Sequence, residues 1–210
     1  MDAPGRMNRL SMMKALAALF IAAALLGGCA SPALESRGGP SDTAVLLAPD
    51  LRLDLPEPGA MGRSIEAVQM VTAHHDGNNI TFEAHLSITP ERVLLVGVDV
   101  TGQRLMTVTW RGRQIEVQAA PALPKDVRPG AVLADLLVLY WPEAVVRQAL
   151  QKSGAELSTD AASRTVSLHG KPVLQASYHQ GSADPWHGGL HYRNFAWGYD
   201  IDVDTIQVTP

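Results

Sequence analysis

The chain has a single cysteine, Cys29, among 210 residues. With no second thiol, it holds neither an internal disulfide framework nor a multi-cysteine metal site. It has no apolar run of the ~20 residues that a membrane-spanning helix needs. Positive charge is short as well: 17 Lys+Arg stand against 21 Asp+Glu, a net charge of −4 with His neutral. That balance excludes a basic surface for nucleic acid, and a polybasic patch for anionic lipid headgroups. A Gly-x-Ser-x-Gly nucleophile elbow is absent too, which removes the sequence sign of an α/β-hydrolase serine.

The N-terminus carries the most specific pattern. Arg6, Arg9 and Lys14 precede an unbroken apolar stretch, Ala15–Leu26, which is long enough for a secretory core and too short to span a bilayer. It ends in Leu26-Gly27-Gly28-Cys29. This ending resembles the bacterial lipobox, which implies cleavage after Gly28 and lipid on Cys29. The remaining domain is then free of thiols, which suits an oxidising compartment. Losing Arg6, Arg9, Lys14 and Asp2 leaves that domain more acidic still, so its attachment to the membrane falls to the lipid. At roughly 0.8 kcal/mol per buried methylene, two or more chains anchor stably. The expected organisation is a signal peptide over 1–28, a lipidated flexible tether over 29–43 rich in Ser, Gly and Pro, and one domain over 44–210.

From about Ser64 the chain reads as short strands separated by turns. Ser64–Ala73 and Ile80–Ile88 flank Asp76-Gly77-Asn78-Asn79, a hairpin signal. Phe82, Ala84, Leu86 and Ile88 share one face, with Glu83, His85 and Ser87 on the other. Arg92–Val100 is apolar on both faces and so expected to be central or covered. Gln103–Trp110 and Arg113–Ala119 complete an antiparallel meander. Ala131–Trp141 carries one charge, Asp135, in an otherwise apolar run, and reads as a buried helix. Pro142 suits the first position of a second helix, which ends at Gly154. Strands resume at Arg164–His169, Pro172–His179, Gly189–Phe195 and Tyr199–Val208. The expected fold class is therefore α+β, a curved antiparallel sheet covered by two helices.

Several side-chain groups invite chemistry. His187 and His191, four apart in an extended segment, stand about 13 Å from each other, too far to share a zinc ion. His74-His75 adjoins a turn. Asp200, Asp202 and Asp204 open like a calcium loop, but Thr205 occupies the position where glycine is needed. They read instead as the solvated face of an edge or outer strand, with Tyr199, Ile201 and Val203 inward. No cofactor, no metal and no catalytic residue is assigned. Ser177 and Ser182 beside His179 are the nominees for an acyl-processing enzyme. The apolar helix is the stronger lead: either a core helix alone, or a cover whose Leu133, Leu136, Leu137, Tyr140 and Trp141 line a cavity.

Further along, Val98-Asp99-Val100-Thr101-Gly102-Gln103-Arg104-Leu105, Leu133-Ala134-Asp135-Leu136, Tyr140-Trp141-Pro142, Arg164, Tyr178, Trp186, Asn194 and Gly198-Tyr199 follow one another in a familiar order. This order resembles a family of bacterial lipoproteins of no assigned function, often encoded with fatty-acid-synthase-like genes for aryl polyene or related acyl products. More distantly the layout is similar to LolB and LolA, whose incomplete β-barrel and helical lid enclose a cavity for acyl chains. The resemblance implies a half-barrel with 131–154 as the cover. By the sorting rule of enteric bacteria, Ala30 after the lipidated cysteine implies the periplasmic face of the outer membrane. The function expected is non-enzymatic binding or placement of an acyl or lipid-like product, with the membrane as a partner through the N-terminal lipid. A scaffold that holds partner proteins, and an acyl-processing enzyme, stand as the alternatives.

Overall fold

In the computed structural model of the chain, the residues described are 35–36, 44–121, 123, 127–181 and 183–210. The stretches expected as signal peptide (1–28) and tether (29–43), with Cys29, lie outside them, apart from 35–36. Residues 34–210 make one compact unit. Among the described residues, every member of the buried cluster lies between Val45 and Val203, so this stretch carries that core and is expected to fold by itself.

The unit is built from two antiparallel meanders with two helices between them. The first runs β4 (Ile65–His75), β5 (Asn78–Ile88), β6 (Val93–Asp99), β7 (Arg104–Arg111) and β8 (Gln114–Ala119). The helices follow: α1 (Pro129–Tyr140) and α2 (Glu143–Gln151). The second meander runs β9 (Ala155–Thr159), β10 (Ser163–Leu168), β11 (Lys171–Tyr178), β12 (Gly189–Asn194) and β13 (Tyr199–Thr209). Pairing of β4 with β13 joins the two meanders into one sheet, ordered β8-β7-β6-β5-β4-β13-β12-β11-β10-β9. A two-residue strand, β1 (Glu35–Ser36), extends the β8 edge. The sheet is not closed. A separate hairpin, β2 (Ala44–Ala48) with β3 (Leu51–Asp54), packs against α1.

Local chemistry explains the turns. Asp76 and Gly77 both take positive φ, 49° and 75°, and join His75 to Asn78 as a two-residue hairpin loop. That left-handed pair matches the right-handed twist of the flanking strands, and Asp-Gly adopts it at little cost. His169 and Gly170 repeat it between β10 and β11, at 52° and 75°.

The sheet curls around α1. This helix contacts β7 and β8 near one end of the sheet and β10 near the other. Eight strand steps separate β8 from β10, roughly 38 Å if laid flat, whereas the 12-residue helix is only about 18 Å long. Only a curved sheet brings both ends to so short a rod. The β2–β3 hairpin packs on the helix as well, so residues Leu133 to Tyr140 are all buried. A helix covered all round needs no polar face, which is why its sequence shows no amphipathic stripe. By contrast α2 buries Val146 and Leu150 and leaves Glu143, Arg147 and Gln148 in solvent.

Three details differ from the sequence expectation. Strands 35–36, 44–48, 51–54 and 155–159 are additional. Pro142 stands just outside α2 as its N-cap, with extended backbone at φ −52° and ψ 139°. β13 is a central strand between β4 and β12 rather than an edge. Its outward carboxylates meet partners across the ladder: Asp202 accepts from His74 at 3.2 Å and from His191 at 2.9 Å.

Candidate functional site

Two groups of side chains fix α1 in the curl, and both bear on what lies beside it. At its C-terminal end, the backbone carbonyls left without helical partners would be buried. Arg164, 5% exposed, reaches in from β10. Its Nη1 donates to the carbonyls of Val138 at 2.9 Å, Leu139 at 3.3 Å and Trp141 at 2.8 Å. Tyr178 Oη adds a bond to the Leu139 carbonyl at 2.8 Å, and burial pushes that phenol up to about 12. The guanidinium also places a positive charge at the negative end of the helix dipole. Next along, Tyr140 stacks on Trp186 with centroids 4.1 Å apart, and its hydroxyl accepts from Gln69 of β4 at 3.0 Å.

Midway along α1, Asp135 is held from the sheet. Tyr199 of β13 donates to its Oδ2 at 2.6 Å, and Tyr192 of β12 donates to the same oxygen at 3.3 Å. Oδ1 is buried and has no hydrogen-bond partner among the described residues. Burial pushes the Asp135 carboxyl up to about 7, against the pull of the Tyr199 and Tyr192 hydroxyls that bond it and of the Asn194 amide nearby. Both phenols are raised in turn, by burial first and then by the carboxylate beside them. Asn194 organises the loop after β12. Its Oδ1 accepts from the backbone N–H of Ala196 and Trp197, at 3.1 and 3.0 Å, and its Nδ2 donates to the Leu47 carbonyl at 3.0 Å.

Asp135, Tyr192 and Tyr199 line a cavity of ≈ 360 Å³ between α1 and the sheet. Its walls are mostly apolar, with Ile80, Phe82, Met106, Ala131, Val132 and Ile201 among them. Asn78, Asn79 and Arg128 are exposed and mark the side that meets solvent. There the Arg128 guanidinium lies 3.9 Å from the centroid of Trp197, and His75 bonds the Gly198 carbonyl through Nδ1 at 3.0 Å. A second cavity of ≈ 70 Å³ lies deeper, sharing Phe82, Met106, Val132, Asp135, Tyr192 and Ile201 with the first. Gly97 makes room for that shared wall: a Cβ there would meet Met106 Cγ at 3.3 Å and Phe82 Cδ2 at 3.5 Å.

The residues expected to line a cavity divide. Leu136 and Tyr140 border the deeper space. Leu133, Leu137 and Trp141 border neither cavity; they are at most 1% exposed in the core, with Trp141 beside Trp110 at 5.8 Å. The larger cavity takes positions 131, 132 and 135 of the same helix instead. Ser177, on β11, and His179, in the turn just after it, are exposed and line neither space, and Ser182 lies outside the described residues. Sequence reasoning passed over Asp135 as a site residue. A lone carboxylate in an apolar helix was the signal, since such a group is rarely buried without a purpose.

Compared with known protein families, residues 66–207 match the model described as "Protein of unknown function (DUF3261)". The chain belongs to this family. The matched stretch takes in both meanders except Ile65, Val208 and Thr209 at their outer ends, both helices, and every side chain of the Asp135 and Arg164 groups named above. No curated protein matches the chain.

Proposed function

We propose that this protein is a lipid-anchored envelope protein that holds a lipophilic ligand beside α1 and helps to place it at the outer membrane, without catalysing a reaction. The observation that carries the reading is the ≈ 360 Å³ cavity, mostly apolar and open to solvent on one side. That volume falls near the lower end of the roughly 300–1,000 Å³ usual for small-molecule sites. The open sheet wrapped on a helix is compatible with a half-barrel of the LolB and LolA kind. The lipobox-like Leu26-Gly27-Gly28-Cys29 and the following Ala30 support attachment and destination. The resemblance to lipoproteins encoded with fatty-acid-synthase-like genes supports an acyl product as the cargo.

Residues 34–210 titrated with the neutral apolar fluorophore N-phenyl-1-naphthylamine are expected to show saturable binding at one site per chain. Its Kd should be on the order of 1 μM. Val132→Phe adds bulk to the wall shared by both cavities and should weaken that binding about tenfold. Binding that never saturates, or that Val132→Phe leaves unchanged, would contradict the cavity as the site.

A further inference from the structure

An apolar ligand alone gives no reason for a carboxyl in the wall of this cavity. A leucine at position 135 would pack against such a ligand without the cost of burying an ionisable group. Asp135 is instead 3% exposed and held by two phenol hydroxyls from neighbouring strands. Those bonds use only one of its oxygens. The other, Oδ1, has no partner among the described residues, and a buried acceptor left unpaired is costly enough to call for an explanation. The longer phenol bond, Tyr192 at 3.3 Å, is also the easier to exchange. Oδ1 is itself shielded, so a donor in the cavity meets it after the carboxyl turns about χ2, a broad and roughly two-fold torsion.

Taking the cavity as a lipophile site, we propose that Asp135, with Tyr192 and Tyr199, is its polar anchor and selects a lipophile bearing a hydrogen-bond donor, a hydroxyl or an amine, over one bearing a carboxylate. Ionised Asp135 accepts from an O–H or N–H and repels a second carboxylate in a medium that screens charge poorly. Among the described residues, the titratable and charged groups that share its two cavities are Tyr192, Tyr199, Tyr140, His75 and Arg128. Of these, His75 and Arg128 stand at the solvent side, where an anionic head would settle if the ligand lay the other way round.

The test is competition against N-phenyl-1-naphthylamine by octanol, octylamine and octanoate, with residues 34–210 at pH 8. Octanol and octylamine are expected to displace the fluorophore at concentrations about tenfold lower than octanoate. In Asp135→Asn the preference of octylamine over octanoate should shrink to less than about threefold. Tyr199→Phe keeps the carboxylate and should keep the order of the three. Octanoate equal to or better than the other two would overturn the anchor while leaving the cavity reading in place. So would a preference that Asp135→Asn does not alter, which would move the anchor to the solvent side. Failure of all three compounds and of the fluorophore would bring down the cavity reading and the anchor with it.

Discussion

Replacing Arg164 with methionine is expected to destabilise residues 34–210 by about 3–5 kcal/mol. Methionine keeps the length of the side chain and loses every donor. Three carbonyls at the end of α1, those of Val138, Leu139 and Trp141, then lose a charged partner in a place where water does not reach. Among the described residues, only Leu139 keeps another side-chain bond, from Tyr178. The favourable placement of a cation at the helix C-terminus goes as well. Urea denaturation at pH 7, followed by far-ultraviolet circular dichroism, measures the effect. Arg164→Lys should recover part of it, since an ammonium is a point donor and cannot reproduce the guanidinium's reach. A loss below about 1 kcal/mol in Arg164→Met would mean that the helix end is held by packing alone.

The second large effect is a dependence of stability on pH set by Asp135. Its folded-state pKa is raised from 3.8 to about 7, chiefly by burial. Between those two values the folded chain keeps a proton that the unfolded chain has released. Stability therefore falls as pH rises from about 4 to about 7 and levels off above, by an amount on the order of 4 kcal/mol from this group alone. Asp135→Asn cannot ionise. It keeps an oxygen to accept from Tyr199, so near pH 4 it should match the unsubstituted protein within about 1 kcal/mol. At pH 8 it should be the more stable of the two, by roughly 2–4 kcal/mol. Denaturation midpoints of both proteins at pH 4.5, 6 and 8 give the comparison. Parallel pH profiles would show that Asp135 does not carry the burial penalty derived from its surroundings.

A ligand donor at Asp135 changes the second result in a defined direction. By pairing with the carboxylate it would lower the pKa of the complex and restore stability above pH 7. Saturating octanol or octylamine should then raise the midpoint of the unsubstituted protein at pH 8 more than that of Asp135→Asn.

Much of this architecture is legible in the amino-acid order, for reasons that can be named. Strict alternation over Phe82, Ala84, Leu86 and Ile88 fixes which face of β5 looks inward, because strand side chains alternate with period two. Asp76-Gly77 fixes the register of β4 on β5. Pro142 and Gly154 bracket α2 to within a few residues. The 44–54 hairpin was equally readable in principle, with Leu51 and Leu53 buried and Arg52 and Asp54 exposed, but four or five residues give a weak signal on their own. The phase of α1 was not readable at all. A run apolar on every side does not declare which residues meet a neighbour and which meet a void. Hence the choice of Leu133, Leu137 and Trp141 as lining, where the fold sets Ala131, Val132 and Asp135 against the larger space. Nor could sequence bring Arg164 to the end of a helix more than 20 residues earlier. That meeting depends on the curl of the whole sheet.

Mass spectrometry of what travels with the protein tests the binding role most directly. Residues 34–210, purified without detergent from the periplasm of a cell that makes the protein naturally and extracted with organic solvent, should release one class of lipophilic molecule. That molecule should carry a hydroxyl or amine, be present at near one per chain, and be depleted in Val132→Phe. An extract with no such molecule, or the same yield from Val132→Phe, would contradict a ligand held beside α1.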